Sequence, residues 1–234
     1  MLSDKPWKPD AVLRLGAAVL VCFCFGIFLN GLVGTRVHSV PLRVLIAVVC
    51  FQGAAFPLIG QFLREHQATW SGAFGFFNDW RRALGAGAIA AVLLAVTTLT
   101  IQWAEAQLLA RFGIPMDEQV AVQALRETSG WPARLAMAVA TILLVPPAEE
   151  MLFRGILYPA LKHAGFPRFA WWGTAVLFGA VHLNVASFVP LTILGFALIW
   201  LYERTDNLLA PIAAHSLFNA ANFILLYLLE ALSP

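Results

Sequence analysis

The sequence predicts an all-α fold, a polytopic membrane helix bundle of about seven transmembrane helices with one or two interfacial helices. Three observations predict it. Only 12% of the residues are charged, against about 25% in ordinary soluble domains. The residues are 60% hydrophobic, with a mean hydropathy of +0.78. Apolar runs near the ~20 residues that a membrane helix needs recur along the chain, separated by short polar turns.

The same numbers bound the function. A formal net charge of +2 excludes a strong electrostatic partner such as nucleic acid. The basic residues stand singly between the apolar runs, as span-flanking charges do. A length of 234 residues fits one helical bundle. Within it, residues 1–134 are expected to form N-terminal membrane helices and loops, and residues 135–234 a core that holds every chemistry-bearing motif. Cys22, Cys24 and Cys50 lie in apolar runs without a metal or disulfide pattern and are expected as small buried hydrophobes.

The elements follow in order. Lys5, Lys8 and Arg14 flank an apolar run that begins like a signal peptide, but no small-x-small site closes it, so a retained first span is expected over residues 11–33. A second span covers 42–62 and contains Pro57, a helix-bending residue. Residues 64–82 mix aromatics with charges and read as an interfacial loop or short helix. A third span covers 83–103. In the polar stretch that follows, residues 117–127 look amphipathic, with Val120, Ala121, Ala124 and Leu125 on one face. Gly130 and Pro132 end that stretch.

The fourth span, 135–157, carries Pro146-Pro147-Ala148-Glu149-Glu150-Met151-Leu152-Phe153-Arg154. The two prolines predict a kink just before the acids, one that opens backbone groups toward a cavity. The fifth span, 169–185, holds Phe178 and His182. The sixth, 188–202, is featureless. The seventh, 208–229, holds His215 and Asn219. Nine basic residues (Lys5, Lys8, Arg14, Arg64, Arg81, Arg82, Lys162, Arg168 and Arg204) flank one side of this arrangement. Five (Arg36, Arg43, Arg111, Arg126 and Arg134) flank the other, which favours an inner N-terminus and an outer C-terminus. No internal repeat is visible.

Two acids and a base inside one apolar run are costly, since a charge at the bilayer centre costs about 2.5–3.5 kcal/mol even on mild insertion scales. Glu150 and Arg154 are four apart and share a helix face, so they are placed to pair. Glu149 is rotated by about 100° from Glu150 and is left less neutralised, a candidate general base. The plain alternative is a Glu–Arg pair that stitches helices. It accounts for Glu150 and Arg154 but not for a second acid. His215 and Asn219 are four apart and can aim two donors one way, as an oxyanion requires. An interhelical polar clamp explains the same spacing, and a lone membrane histidine such as His182 can be a structural hydrogen-bonder. His38, His66 and His163 fall in turns and are expected to be solvated. There is no H-E-x-x-H helix, no G-x-S-x-G elbow and no glycine-rich phosphate loop. On the residues alone, the set can activate water against a peptide bond, or hold zinc through Glu149, His182 and His215.

The ordered trio E-E-x-x-x-R (Glu149, Glu150, Arg154), F-x-x-x-H (Phe178, His182) and H-x-x-x-N (His215, Asn219) resembles the CAAX protease and bacteriocin-processing family. These are intramembrane endopeptidases related to the Ras-converting CAAX prenyl endopeptidase. The resemblance covers residues 135–229, and the first three spans carry no signature. It implies that Glu149, with His182, deprotonates a water that attacks the scissile carbonyl. It implies that His215 and Asn219 stabilise the oxyanion and that Glu150 and Arg154 shape the site. It implies no required cofactor in a glutamate-type enzyme, or Zn2+ in a metallo-endopeptidase. The partners implied are the lipid bilayer and a membrane-associated protein or peptide substrate cut near its C-terminus. The short polar turn 203–207 leaves little structure for recognising a soluble domain. The arginine-, alanine- and leucine-rich composition points to a bacterial inner membrane and a non-prenylated substrate. Two other classes compete: a catalytically silent immunity or assembly factor on the same fold, and a transporter or proton relay, which the lack of an inverted repeat disfavours.

Overall fold

In a bilayer, backbone N–H and C=O groups must be bonded within their own segment, so long apolar runs become helices. The computed structural model describes residues 2, 4–113 and 120–232. Among these residues it has nine helices: α1 (Pro9–Gly34), α2 (Val40–Glu65), α3 (Trp70–Phe74), α4 (Trp80–Arg111), α5 (Val120–Glu127), α6 (Trp131–His163), α7 (Pro167–Ala180), α8 (Val185–Thr205) and α9 (Leu209–Leu232). Short polar side chains start several of them. Ser39 accepts from the Leu42 amide, Thr69 from the Gly72 amide and Asn184 from the Ser187 amide, each satisfying an otherwise orphan donor.

Six helices (α1, α2, α4, α6, α8 and α9) are long and apolar enough to cross a membrane. The chain is an all-α integral membrane bundle, and its exposed surface is studded with large apolar side chains such as Leu20, Phe25, Val92 and Leu93. That agrees with the expected bundle of about seven, and the difference lies in the fifth run. The run at 169–185 yields α7, of 14 residues, about 21 Å at 1.5 Å per residue and short of a ~30 Å hydrocarbon core. Leu183 takes the left-handed φ of 52° and Asn184 caps α8, so the chain turns back there.

Side-chain ties define one end of the bundle. The Leu2 amide donates to Asp206 Oδ1, Lys5 Nζ to the Gly72 carbonyl, and Trp7 Nε1 to the Gly155 carbonyl. His163 meets Asp4, Glu203 takes both Lys162 and Tyr158, and Asn207 donates to the Asn78 carbonyl. The N-terminal segment, the α2–α4 connection and both turns flanking α7–α8 therefore share this end. At the other end the Tyr227 hydroxyl donates to the Leu125 carbonyl, joining α9 to α5.

Three expectations change on the way. His66 is half-buried rather than solvated. It packs between Trp7 and Phe62, accepts from the Lys8 amide and so anchors the N-terminal segment. Cys24 and Cys50 are exposed on outward helix faces rather than buried. In the amphipathic stretch, Ala124 and Leu125 are buried but Val120 is exposed. Residues 117–119 of that stretch, and the Ala121 side chain, lie outside what the structure describes.

Small residues set the spacing around the core. A Cβ on Gly179 would lie 2.5 Å from Thr192 Oγ1 and 2.9 Å from the Phe188 carbonyl oxygen, and one on Gly195 would lie 3.0 Å from the Ala175 backbone. Thus α7 and α8 approach through glycines, as packed membrane helices do. That contact holds Phe178 and His182 against the rest of the site.

Candidate active site

Helix α6 carries the acids, and its backbone is not regular. It widens into π-helical turns at Val139–Leu144 and Met151–Leu157, on either side of the acidic pair. Pro146 and Pro147 lie between them and continue the helix instead of breaking it, because the wide turn absorbs the missing amides. In the π-helical register, where the Val145 amide bonds the Ala140 carbonyl, the Thr141 carbonyl would take the amide of residue 146. Residue 146 is proline and has none. Asn219 Nδ2 fills the vacancy, donating to the Thr141 carbonyl at 2.9 Å.

Glu150 and Arg154 are both fully buried, and Arg154 Nη1 donates to Glu150 Oε1 at 2.9 Å. Arg154 Nη2 donates to the Gly195 carbonyl at 3.1 Å, and its guanidinium lies 4.3 Å over the Phe178 ring. His215 Nδ1 donates to the same Glu150 Oε1 at 2.9 Å. Glu150 is therefore held from two helices. The Phe178 ring is flanked edge-on by His182 and by His215, at centroid distances of 5.2 and 5.6 Å. One buried aromatic ring thus spaces both histidines and receives the arginine.

Glu149 turns the other way. It is half-buried, and its Oε2 has no partner among the described residues. His182 Nδ1 donates to the Phe178 carbonyl at 2.8 Å, which fixes the tautomer: neutral His182 presents a lone pair at Nε2. Both side chains line a cavity of about 600 Å³ between α1, α2, α6 and α7. Gln52 is the other polar side chain in that wall; the rest are aliphatic, aromatic or glycine. An acid and an imidazole acceptor facing one apolar cavity can hold a water and take its proton.

His215 and Asn219 do not line this cavity. Each has one polar group engaged, on Glu150 and on Thr141 respectively. Both side chains are thus clamped through one polar group, and each keeps one ring nitrogen or amide hydrogen to spare. Among the described residues no three His, Cys, Asp or Glu side chains gather closely enough to hold a metal ion. Glu149, His182 and His215 do not form such a group: Glu149 and His182 line the cavity and His215 does not. Sequence reading missed Gln52, the Thr141 and Gly195 carbonyls, and the role of Phe178 as spacer.

Comparison with known proteins bears on the same segment. Residues 131–221 match the family model described as "Type II CAAX prenyl endopeptidase Rce1-like". All six candidate residues fall inside that stretch, the same one that carries the three motifs. The chain is 33% identical over 94 residues to "Putative membrane peptidase YdiL" of Bacillus subtilis, covering 40% of this chain and 38% of that protein. It is 38% identical over 82 residues to YpbD of the same organism, covering 33% of this chain and 39% of that protein. YxdF of Lactococcus lactis is 30% identical over 78 residues, covering 33% of this chain and 42% of that protein. The matches thus span about two fifths of these relatives. No solved structure matches the chain.

Proposed function

We propose that the chain is an intramembrane endopeptidase of the CAAX type that hydrolyses a peptide bond in a membrane-associated substrate, near the substrate's C-terminus. One observation carries this reading. In a chain whose 131–221 segment matches the Rce1-like family, the acid that is not paired, Glu149, shares a substrate-sized apolar cavity with the free Nε2 of His182.

In this reading Glu149 and His182 hold a water between them. Glu149 takes one proton as the water oxygen attacks the scissile carbonyl carbon, and later gives it to the leaving amine. Product is a new carboxylate and a new amine. The oxyanion is assigned to His215, steadied through Nδ1 by Glu150, and to the second amide hydrogen of Asn219, both of which stand outside the cavity wall next to Glu149 and His182. Residues 135–234 carry the chemistry, and α1 and α2 wall the cavity that admits substrate. No metal is required, and the end rich in basic residues faces the cytoplasm of a bacterial inner membrane.

The test is proteolysis by purified wild type and Glu149→Gln on C-terminal membrane-tag peptides, prenylated and not, with and without chelator. Cleavage that is lost in Glu149→Gln and indifferent to chelator is expected. Cleavage lost on chelation and restored by zinc would replace the water-activation step with a metal one. A Glu149→Gln protein that keeps its biological activity would return the chain to the silent immunity or assembly class.

A further inference from the structure

Gln52 stands on α2, outside the segment that matches the family, and is the lone polar side chain between Arg43 and Gln61 apart from Cys50. The residue is 4% exposed, and its Oε1 has no hydrogen-bond partner among the described residues. A buried amide acceptor without a partner is costly in an apolar setting. Gln52 nevertheless faces the same cavity as Glu149 and His182.

A peptide entering that cavity loses water from its own N–H and C=O groups. The walls offer three polar side chains to meet them. In the hydrolytic reading, on which this inference rests, Glu149 and His182 are occupied with the water. Gln52 is the group left over, and its vacant valence is an acceptor, which is what a stripped peptide N–H lacks. We propose that Gln52 is a substrate-positioning residue whose Oε1 accepts the backbone N–H of a peptide unit flanking the scissile bond. It holds the chain by its backbone and so tolerates varied apolar side chains, while the aliphatic wall made by Leu15, Val19, Leu152 and Ile156 takes those side chains. The contact comes from α2, so substrate bridges the signature-free N-terminal helices and the catalytic core.

The experiment uses the full-length protein in nanodiscs and a quenched fluorogenic peptide with an aliphatic C-terminal half. A matched series replaces one peptide N–H at a time with an ester oxygen. Cleavage is followed for wild type and for Gln52→Met, an isosteric change. Binding of the same peptides is followed by fluorescence anisotropy in Glu149→Gln and in the Glu149→Gln/Gln52→Met double variant. Gln52→Met is expected to lower kcat/KM roughly 10- to 100-fold, mostly through KM. At one position the ester costs wild type a similar factor and costs Gln52→Met almost nothing further, while other positions are additive. Cleavage with additive losses everywhere overturns the role of Gln52 and leaves the hydrolytic reading standing. Position-specific coupling in binding with no cleavage by wild type keeps Gln52 and sinks the hydrolytic reading. Neither binding nor cleavage overturns both.

Discussion

His215 Nδ1 and Arg154 Nη1 converge on a single oxygen, Glu150 Oε1, each at 2.9 Å. The acid contributed by α6 is thereby consumed as the joint between α6 and α9. Its neighbour Glu149, about 100° away round the helix, is left to face the cavity. Adjacent carboxylates of one sequence motif thus have opposite fates, one tied and one available.

The tied acid predicts a stability phenotype. Arg154 is fully buried with bonds to Glu150 and Gly195 and a ring beneath it. Removing one partner from such a pair strands a buried charge, at about 3–5 kcal/mol. Arg154→Met is expected to lose most of its resistance to denaturant in detergent. Arg154→Lys is expected to fare little better, since an ammonium cannot make the forked contact and stack together. A Lys variant as stable as wild type would show that the charge alone matters.

The available acid predicts the reverse. Glu149 Oε2 has no partner to lose. Glu149→Gln should leave the unfolding midpoint within a degree or so while lowering kcat by roughly 10²- to 10⁴-fold, the range of a general base. Parallel denaturation and rate measurements check both halves. A variant that unfolds early and loses activity in proportion would make Glu149 structural.

The two nitrogens of His182 can be tested separately. Asparagine places its amide where Nδ1 lies, and can keep the bond to the Phe178 carbonyl while deleting Nε2. Glutamine places its amide nearer Nε2. If Nε2 holds the water, His182→Asn keeps the fold and loses activity, and His182→Gln retains more of it. Equal losses would leave Nε2 without a role. Circular dichroism in detergent guards against misfolding.

The sequence was legible where neighbours in sequence are neighbours in space. The Glu150–Arg154 pair follows from a four-residue spacing, and long apolar runs announce their helices. It was opaque where the partner is distant: His215 meets Glu150 across 65 residues, and Asn219 meets Thr141 across 78. Helix ends were also hidden. Hydropathy continues through residues 181–185, whereas the left-handed backbone at Leu183 ends α7. Gln52 carried no motif, and only its burial beside Glu149 and His182 marks it.

One distant contact did leave a trace, and it yields the sharpest test. Two adjacent prolines remove two helix amides, so two carbonyls upstream must find other partners. The Thr141 carbonyl finds Asn219 Nδ2. Asn219→Leu is therefore expected to destabilise the protein by about 1–3 kcal/mol through an unsatisfied, partly buried carbonyl. Pro146→Ala restores an amide at the position that Thr141 faces. In the Asn219→Leu background it should recover much of that loss, whereas in wild type it should gain little. A denaturant-unfolding double-mutant cycle measures the coupling. If activity stays low in the rescued double variant while stability returns, the second amide hydrogen of Asn219 acts on the reaction itself. If activity returns with stability, Asn219 is the clamp between α6 and α9 and the oxyanion falls to His215 alone.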